Sequence, residues 1–173
     1  MTFKYDNVYI NDTSTITGPY ENNGPLNKYF DKSYNDLYFG AKTWELAEAK
    51  LIEESVDILL GKIDRTKFDI DLHISGDLLN QIVASNYAAN SLKIPLIGIY
   101  GACSTSVLGL IIASNMIEAK QIKNAIVSVS SHNAGAEKQF RYPVEYGGPK
   151  RKTTTFTCTG GASAYLSSDK KGI

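Results

Sequence analysis

Pro95-Leu96-Ile97-Gly98-Ile99-Tyr100-Gly101-Ala102-Cys103-Ser104-Thr105-Ser106-Val107 decides how this chain is read. Pro95 to Tyr100 is short and nearly all apolar, as a buried strand requires, and Val107 to Ala119 is apolar on most faces, as a buried helix requires. The segment between them places Cys103 at a strand-to-helix turn, with Gly101 and Ala102 permitting a tight bend. At such a turn the amides of Ser104, Thr105 and Ser106 are expected to be orphan donors of the first helical turn. They can stabilise a thiolate, or they can hold a carboxylate or phosphate. A close-packed, inert cysteine is the third possibility.

Working outward, the same rhythm recurs. Trp44 to Leu60 predicts a helix, with Thr43 as its N-cap and Trp44, Ala47, Leu51, Ser55 and Ile58 at helical spacing; Gly61 is its expected stop. Phe68 to Ser75 predicts a strand with Gly76-Asp77 at its carboxyl end, and Leu78 to Ala89 a helix. Ala125 to Ser130 predicts a strand, followed by a polar loop from Ser131 to Lys152. Thr153 to Thr159 and Ala162 to Leu166 predict two strands about a Gly160-Gly161 turn. Upstream, Tyr5 to Asn35 is polar and turn-rich, with strand candidates at Val8 to Ile10 and Ser14 to Thr17 and turns at Gly18-Pro19 and Gly24-Pro25. Its tyrosines (Tyr20, Tyr29, Tyr34, and Tyr38 just beyond) are expected to pack over a neighbouring surface.

Strands of about six residues alternating with longer helices predict an α/β fold, a mostly parallel mixed sheet covered by helices. Ligands of such sheets collect beyond the carboxyl ends of the strands. Three polar segments fall there: Gly76-Asp77 with Asn80, Gly101 to Ser106, and Ser130 to Asn133. One pocket served by all three is expected.

Composition narrows the function. The chain has 173 residues, 43% apolar and 21% charged, with 18 basic residues balancing 18 acidic ones. That is one ordinary domain with no basic footprint for nucleic acid; Lys150-Arg151-Lys152 is a short solvated run. Two cysteines, Cys103 and Cys158, give no disulfide framework and read as reduced thiols, Cys158 as a strand thiol near the sheet interior. Met1 to Asn11 carries no secretory signal pattern, and no run reaches the ~20 apolar residues that span a bilayer. The two histidines lack clustered cysteines or carboxylates, so no metal site and no cofactor are expected.

Candidate site residues follow. A nucleophilic Cys103 needs a base. His73 lies inside a strand and reads as structural, whereas His132 follows a strand end and can reach the pocket. Asp77 can cap the Leu78 to Asn80 backbone or bind ligand. Arg141, in Ala136-Glu137-Lys138-Gln139-Phe140-Arg141-Tyr142-Pro143, can pair with a carboxylate or form a structural ion pair.

These segments, with Gly24-Pro25-Leu26, Phe30-Asp31-Lys32, Gly76 to Gln81, Ser130-Ser131-His132-Asn133 and Glu145-Tyr146-Gly147-Gly148, resemble the stage V sporulation protein AD family of endospore-forming bacteria. That family is a divergent branch of the thiolase-like superfamily. The resemblance spans nearly the whole chain, and the Phe140 to Gly148 loop carries its specificity. It implies binding of dipicolinic acid (pyridine-2,6-dicarboxylate), alone or as its calcium chelate, in machinery that loads the forespore. Asp77 and Cys103 would line the site, with Ser104 and Thr105 amides holding a carboxylate and His132 and Arg141 nearby. The implied partners are other stage V sporulation A proteins at the forespore inner membrane and a second copy of the chain. The implied location is peripheral to the inner spore membrane. Thiolase-like proteins have two similar halves, and residues 1–173 resemble the first. The superfamily's enzymes draw a histidine from the second half, so the alternative, acyl transfer with Cys103 as nucleophile, lacks its partner here. Without that half, the helix from Val107 to Ala119 is expected to expose an apolar face.

Overall fold

The computed structural model describes residues 2–140, 153 and 157–170. Among the described residues six strands form one sheet: β1 (Tyr9–Thr17), β2 (Lys32–Ser33), β3 (Leu72–Asp77), β4 (Leu96–Gly98), β5 (Asn124–Ser131) and β6 (Gly160–Ser167). Their order is β2-β1-β6-β5-β3-β4. β3 pairs parallel with β4 and β5, and β1 with β2, while β6 runs antiparallel between β1 and β5. The helices are α1 (Pro19–Asn22), α2 (Trp44–Lys62), α3 (Val83–Leu92), α4 (Thr105–Glu118) and α5 (Asn133–Phe140).

Alternation along β5 sorts the core into two layers. Ile126 packs with Val56, Leu59 and Leu60 of α2, whereas Ala125 and Val127 pack with Ala113 and Ile117 of α4. Each buried Val, Leu or Ile side chain among these contributes roughly 1.5–3 kcal/mol. Helix α2 starts where Thr43 directs it, its hydroxyl oxygen accepting from Leu46 N at 3.3 Å. It continues through Gly61 to Lys62, because an exposed glycine costs a helix only about 1 kcal/mol against alanine and does not force an end. Helix α4 buries Thr105, Gly109, Ala113, Ser114 and Ile117; Val107 stays exposed, and Leu108, Leu110, Ile111, Ile112 and Met116 are half-buried.

Several boundaries differ from expectation. The two strand candidates upstream merge into one long strand, β1 (Tyr9–Thr17), with a register irregularity between Ile10 and Asp12. Lys67–Asp69 is a 3₁₀ turn, so β3 begins at Leu72 and includes Gly76 and Asp77. The helix expected from Leu78 starts only at Val83, after a 3₁₀ turn in which Gln81 and Ile82 have φ of 60° and 49°. Gly160-Gly161 opens β6 rather than turning between two strands, and 157–159 carry no strand. The polar segment after Ser131 begins as α5. Tyr20 and Tyr29 are exposed, and Tyr38, also exposed, lies with its ring beside that of Trp44. Of the four, Tyr34 packs inward, its ring against Phe39 and its hydroxyl donating to Glu54.

Candidate functional site

Register brings the expected polar segments together. Asp77 is opposite Ser130 across β3 and β5, Ser130 and Ser131 are opposite Gly161 and Gly160, and those two glycines are opposite Ile16 and Thr17 of β1. The carboxyl ends of β1, β3 and β5 and the start of β6 thus meet at one end of the sheet. There they frame a cavity of about 690 Å³, within the usual range for small-molecule sites. Its walls include Gly76-Asp77-Leu78, Ala102-Cys103 with Thr105-Ser106, Val129 to Ser131, Glu137, Thr157-Cys158 and Gly160 to Ala162.

The elbow at Cys103 is closed by its own polar groups. Ala102 adopts φ 48°, left-handed for a non-glycine residue, and opens a 3₁₀ turn over Ala102–Ser104. The Ser104 amide donates to Gly101 O at 2.9 Å, and the Thr105 amide donates to Ala102 O. Thr105 Oγ1 accepts from the Gly101 amide and donates to Ala102 O, and Ser104 Oγ donates to Gly101 O. The amides of Ser104 and Thr105 are therefore not orphan donors, because the 3₁₀ turn satisfies them before α4 begins. Ser104 does not line the cavity, whereas Thr105 and Cys103 do, and the Cys103 thiol is exposed. Gly76 lets the elbow lie against β3: a Cβ there would sit 2.2 Å from Ile99 O and 2.5 Å from Thr105 Cγ2.

Asp77 is buried, and both its oxygens are engaged. Oδ1 accepts from Leu79 N at 2.9 Å and Oδ2 from Ser85 N at 2.7 Å, fixing the irregular entry to α3. Burial raises its carboxyl above the ordinary range, against the lowering by the Ser85 and Leu79 amides. A row of hydroxyls runs from it through the sheet interior: Ser85 to Ser75 at 3.2 Å, Ser75 to Ser128 at 3.2 Å, then Ser128 to His73 Nε2. Burial pushes His73 down to about 4, so it is a neutral core residue, as its place in a strand implied.

His132 does not line the cavity. It is fully buried, its Nε2 2.7 Å from Leu37 O and its Nδ1 accepting from Gly135 N at 3.3 Å, with its ring beside Phe39 and Trp44. Both nitrogens are used locally, and burial lowers its pKa. It ties the 37–44 segment to α5. Cys158 sits on the cavity wall ahead of β6 rather than in the sheet interior, with its thiol pushed up by desolvation and then by Glu21. Arg141 and the Tyr142 to Lys152 loop lie outside the described residues.

The sequence reading missed Glu48. Its isolated place on the buried face of α2, four residues after Trp44 and three before Leu51, was its only sign. It is fully buried, with Oε1 3.2 Å from Ser130 Oγ on the cavity wall. Desolvation, then the Asp77 charge, pushes its carboxyl up to about 8, which Ser130 and the nearby Leu78 and His132 amides moderate. Among the described residues no group of three or more His, Cys, Asp or Glu side chains is placed to hold a metal ion.

The whole chain, residues 1–173, matches the sequence profile of stage V sporulation protein AD. The chain belongs to the stage V sporulation protein AD family. A family member from Bacillus subtilis (strain 168), named stage V sporulation protein AD, is 47% identical over 160 residues, covering 92% of this chain and 47% of the relative. The chain thus spans about half that relative's length. Among solved structures it resembles 3-oxoacyl-[acyl-carrier-protein] synthase III from Aquifex aeolicus VF5, with a TM-score of 0.65 at 16% identity, covering 94% of this chain and 54% of the other. It also resembles a cysteine-to-serine variant of Xanthomonas campestris OleA with bound lauric acid and lauroyl-CoA, with a TM-score of 0.64 at 15% identity, covering 95% and 57%. The fold of this family member is thiolase-like. Among its described residues no helix is long and apolar enough to cross a membrane.

Proposed function

We propose that the protein binds dipicolinic acid in the cavity between Asp77, Cys103 and Ser130, as a component of the machinery that loads this anion into the forespore. Its partners in this reading are the other stage V sporulation A proteins at the forespore inner membrane and a second copy of the chain. The observation that carries the binding reading is the state of Cys103. It faces a ligand-sized cavity, and among the described residues no base contacts it: His132 is held by Leu37 O, His73 lies within the sheet, and both Asp77 oxygens hold backbone amides. Acyl transfer needs an activated nucleophile and oxyanion donors, and the Ser104 and Thr105 amides are already bonded. The acidic residues on the wall, Asp77 and Glu137, favour the neutral calcium chelate over the bare dianion.

A second reading, acyl transfer through a Cys103 thioester, is favoured by the left-handed Ala102, because strained elbows present nucleophiles. One experiment separates the two. Dipicolinate with calcium is expected to slow alkylation of Cys103 by iodoacetamide, while incubation with acyl-CoA leaves the intact mass unchanged. A Cys103 that gains the acyl mass, and that dipicolinate fails to protect, overturns the binding reading.

A further inference from the structure

We propose that Glu48 sets the direction of the Ser130 hydroxyl, and so decides whether the cavity offers an anion a hydrogen-bond donor. This rests on the anion-binding reading and deepens it. Glu48 Oε1 lies 3.2 Å from Ser130 Oγ, and Ser130 lines the cavity. The two groups share one hydrogen bond, and its polarity has two states. A Glu48 carboxylate accepts from Ser130, leaving only hydroxyl lone pairs for the cavity. A neutral Glu48 acid donates to Ser130 Oγ, freeing the Ser130 O–H to donate to a ligand carboxylate.

The geometry selects the neutral form and places its proton. Glu48 is fully buried and forms no ion pair among the described residues, so its charge is uncompensated. Its Oε2 has no hydrogen-bond partner among those residues; the Leu78 and His132 amides favour the carboxylate, but burial and the Asp77 charge outweigh them. A proton on Oε2 would meet no acceptor among the described residues, whereas one on Oε1 is accepted by Ser130 Oγ, so the proton belongs on Oε1. The groups that face Glu48 reinforce this. Asp77 at the end of β3 is an acid, His132 after β5 is neutral, and α5 brings Glu137 together with Lys138, which pairs with Glu45 one turn back on α2. The ionisable groups of β6 and α3 lie elsewhere: Tyr165 beside Arg65, and Tyr87 exposed. β1 contributes Tyr9 and Asp12, both half-buried near the opposite end of the sheet.

Ionisation of Glu48 as pH rises through about 8 would capture the Ser130 hydrogen and add negative charge behind the wall. A pyridine dicarboxylate is fully ionised throughout that range, so its own titration does not intervene. The test uses the full chain and two readouts. Dipicolinate affinity, with and without calcium, is measured from pH 6 to 9.5 for wild type, Glu48→Gln and Ser130→Ala. Infrared spectra over the same range follow the carboxylic-acid carbonyl band. The wild type is expected to lose affinity above pH 8, by up to tenfold per pH unit, as a protonated-acid band disappears. Glu48→Gln, whose amide donates to Ser130 at every pH, should keep neutral-pH affinity, lose the alkaline fall and lack the band. Ser130→Ala should bind about tenfold or more weakly at pH 7. A wild type without the acid band at pH 7, or a Glu48→Gln protein whose affinity falls with pH as wild type's does, overturns the proposal. Absence of dipicolinate binding at every pH defeats the ligand reading, and the infrared titration still decides the state of Glu48.

Discussion

Replacing Gly76 by alanine tests how the elbow is seated. The added Cβ would lie 2.2 Å from the Ile99 carbonyl oxygen, more than 1 Å short of ordinary contact, and 2.5 Å from Thr105 Cγ2. Ile99 is backbone and cannot rotate away, and its amide donates to Ser75 O at 2.9 Å. Relief requires β4 and the elbow to move off β3 together. Overpacking of this kind costs about 1–3 kcal/mol, and weakening the Ile99–Ser75 bond adds about 1 kcal/mol. For a chain of this size the sum lowers Tm by roughly 5–15 °C. Gly61→Ala is the matched control: it lies in α2 with nothing within 4 Å of the added Cβ. That change is expected to be neutral or stabilising by up to about 1 kcal/mol. Thermal unfolding followed by circular dichroism reads both. If Gly76→Ala melts within about 2 °C of wild type, the close seating of the elbow on β3 is wrong.

Two buried groups make stability depend on pH in opposite senses; their slopes offset one another between about pH 4.5 and 6.5 and leave the Glu48 decline alone from 6.5 to 8. Glu48 is raised to about 8 from an ordinary 4.5, so the native state holds the extra proton between those values, and stability declines as pH rises through that window, by up to roughly 1.4 kcal/mol per unit. Asp77 is shifted in the same direction. His73 is lowered to about 4 from 6.5, so the unfolded chain holds the extra proton there, and stability declines as pH falls through that range. Urea midpoints should therefore drop from pH 6.5 to 8, with Glu48→Gln flattening that limb; a midpoint that rises over this interval contradicts the buried neutral acid. His132→Phe should lower Tm, since it leaves Leu37 O and Gly135 N without partners, while dipicolinate affinity stays within about threefold. A tenfold affinity loss with unchanged Tm would return His132 to the ligand site.

What could be read from the residues, and what could not, divides along physical lines. The alternation of apolar strands and helices, the Thr43 cap and the meeting of Asp77, Cys103 and Ser130 at one sheet end all follow from local patterning and the geometry of α/β sheets. The antiparallel insertion of β6 between β1 and β5 does not, because strand order depends on contacts between residues far apart in the chain. The general behaviour of helix termini predicts free amides after Cys103; the 3₁₀ turn begun by Ala102 at positive φ closes those of Ser104 and Thr105 instead. His132 follows a strand that ends at the cavity, yet the side chain turns to Leu37, a partner 95 residues away. The one sign of Glu48, its place on the apolar face of α2, is weak because a carboxylate on a helix normally faces water. Its neighbours Ser130 and Asp77 come from β5 and β3, which only the assembled sheet brings together.

The measurement that tests the central claim most directly is calorimetric titration of the chain with dipicolinate, in the presence and absence of calcium, for wild type, Cys103→Trp and Ser130→Ala. Both substituted positions line the cavity. The account predicts saturable binding to wild type, stronger with calcium. It predicts binding abolished by the indole that Cys103→Trp places in the cavity, and weakened about tenfold by Ser130→Ala. Saturable binding of equal strength in all three folded proteins would place the ligand elsewhere and contradict the account.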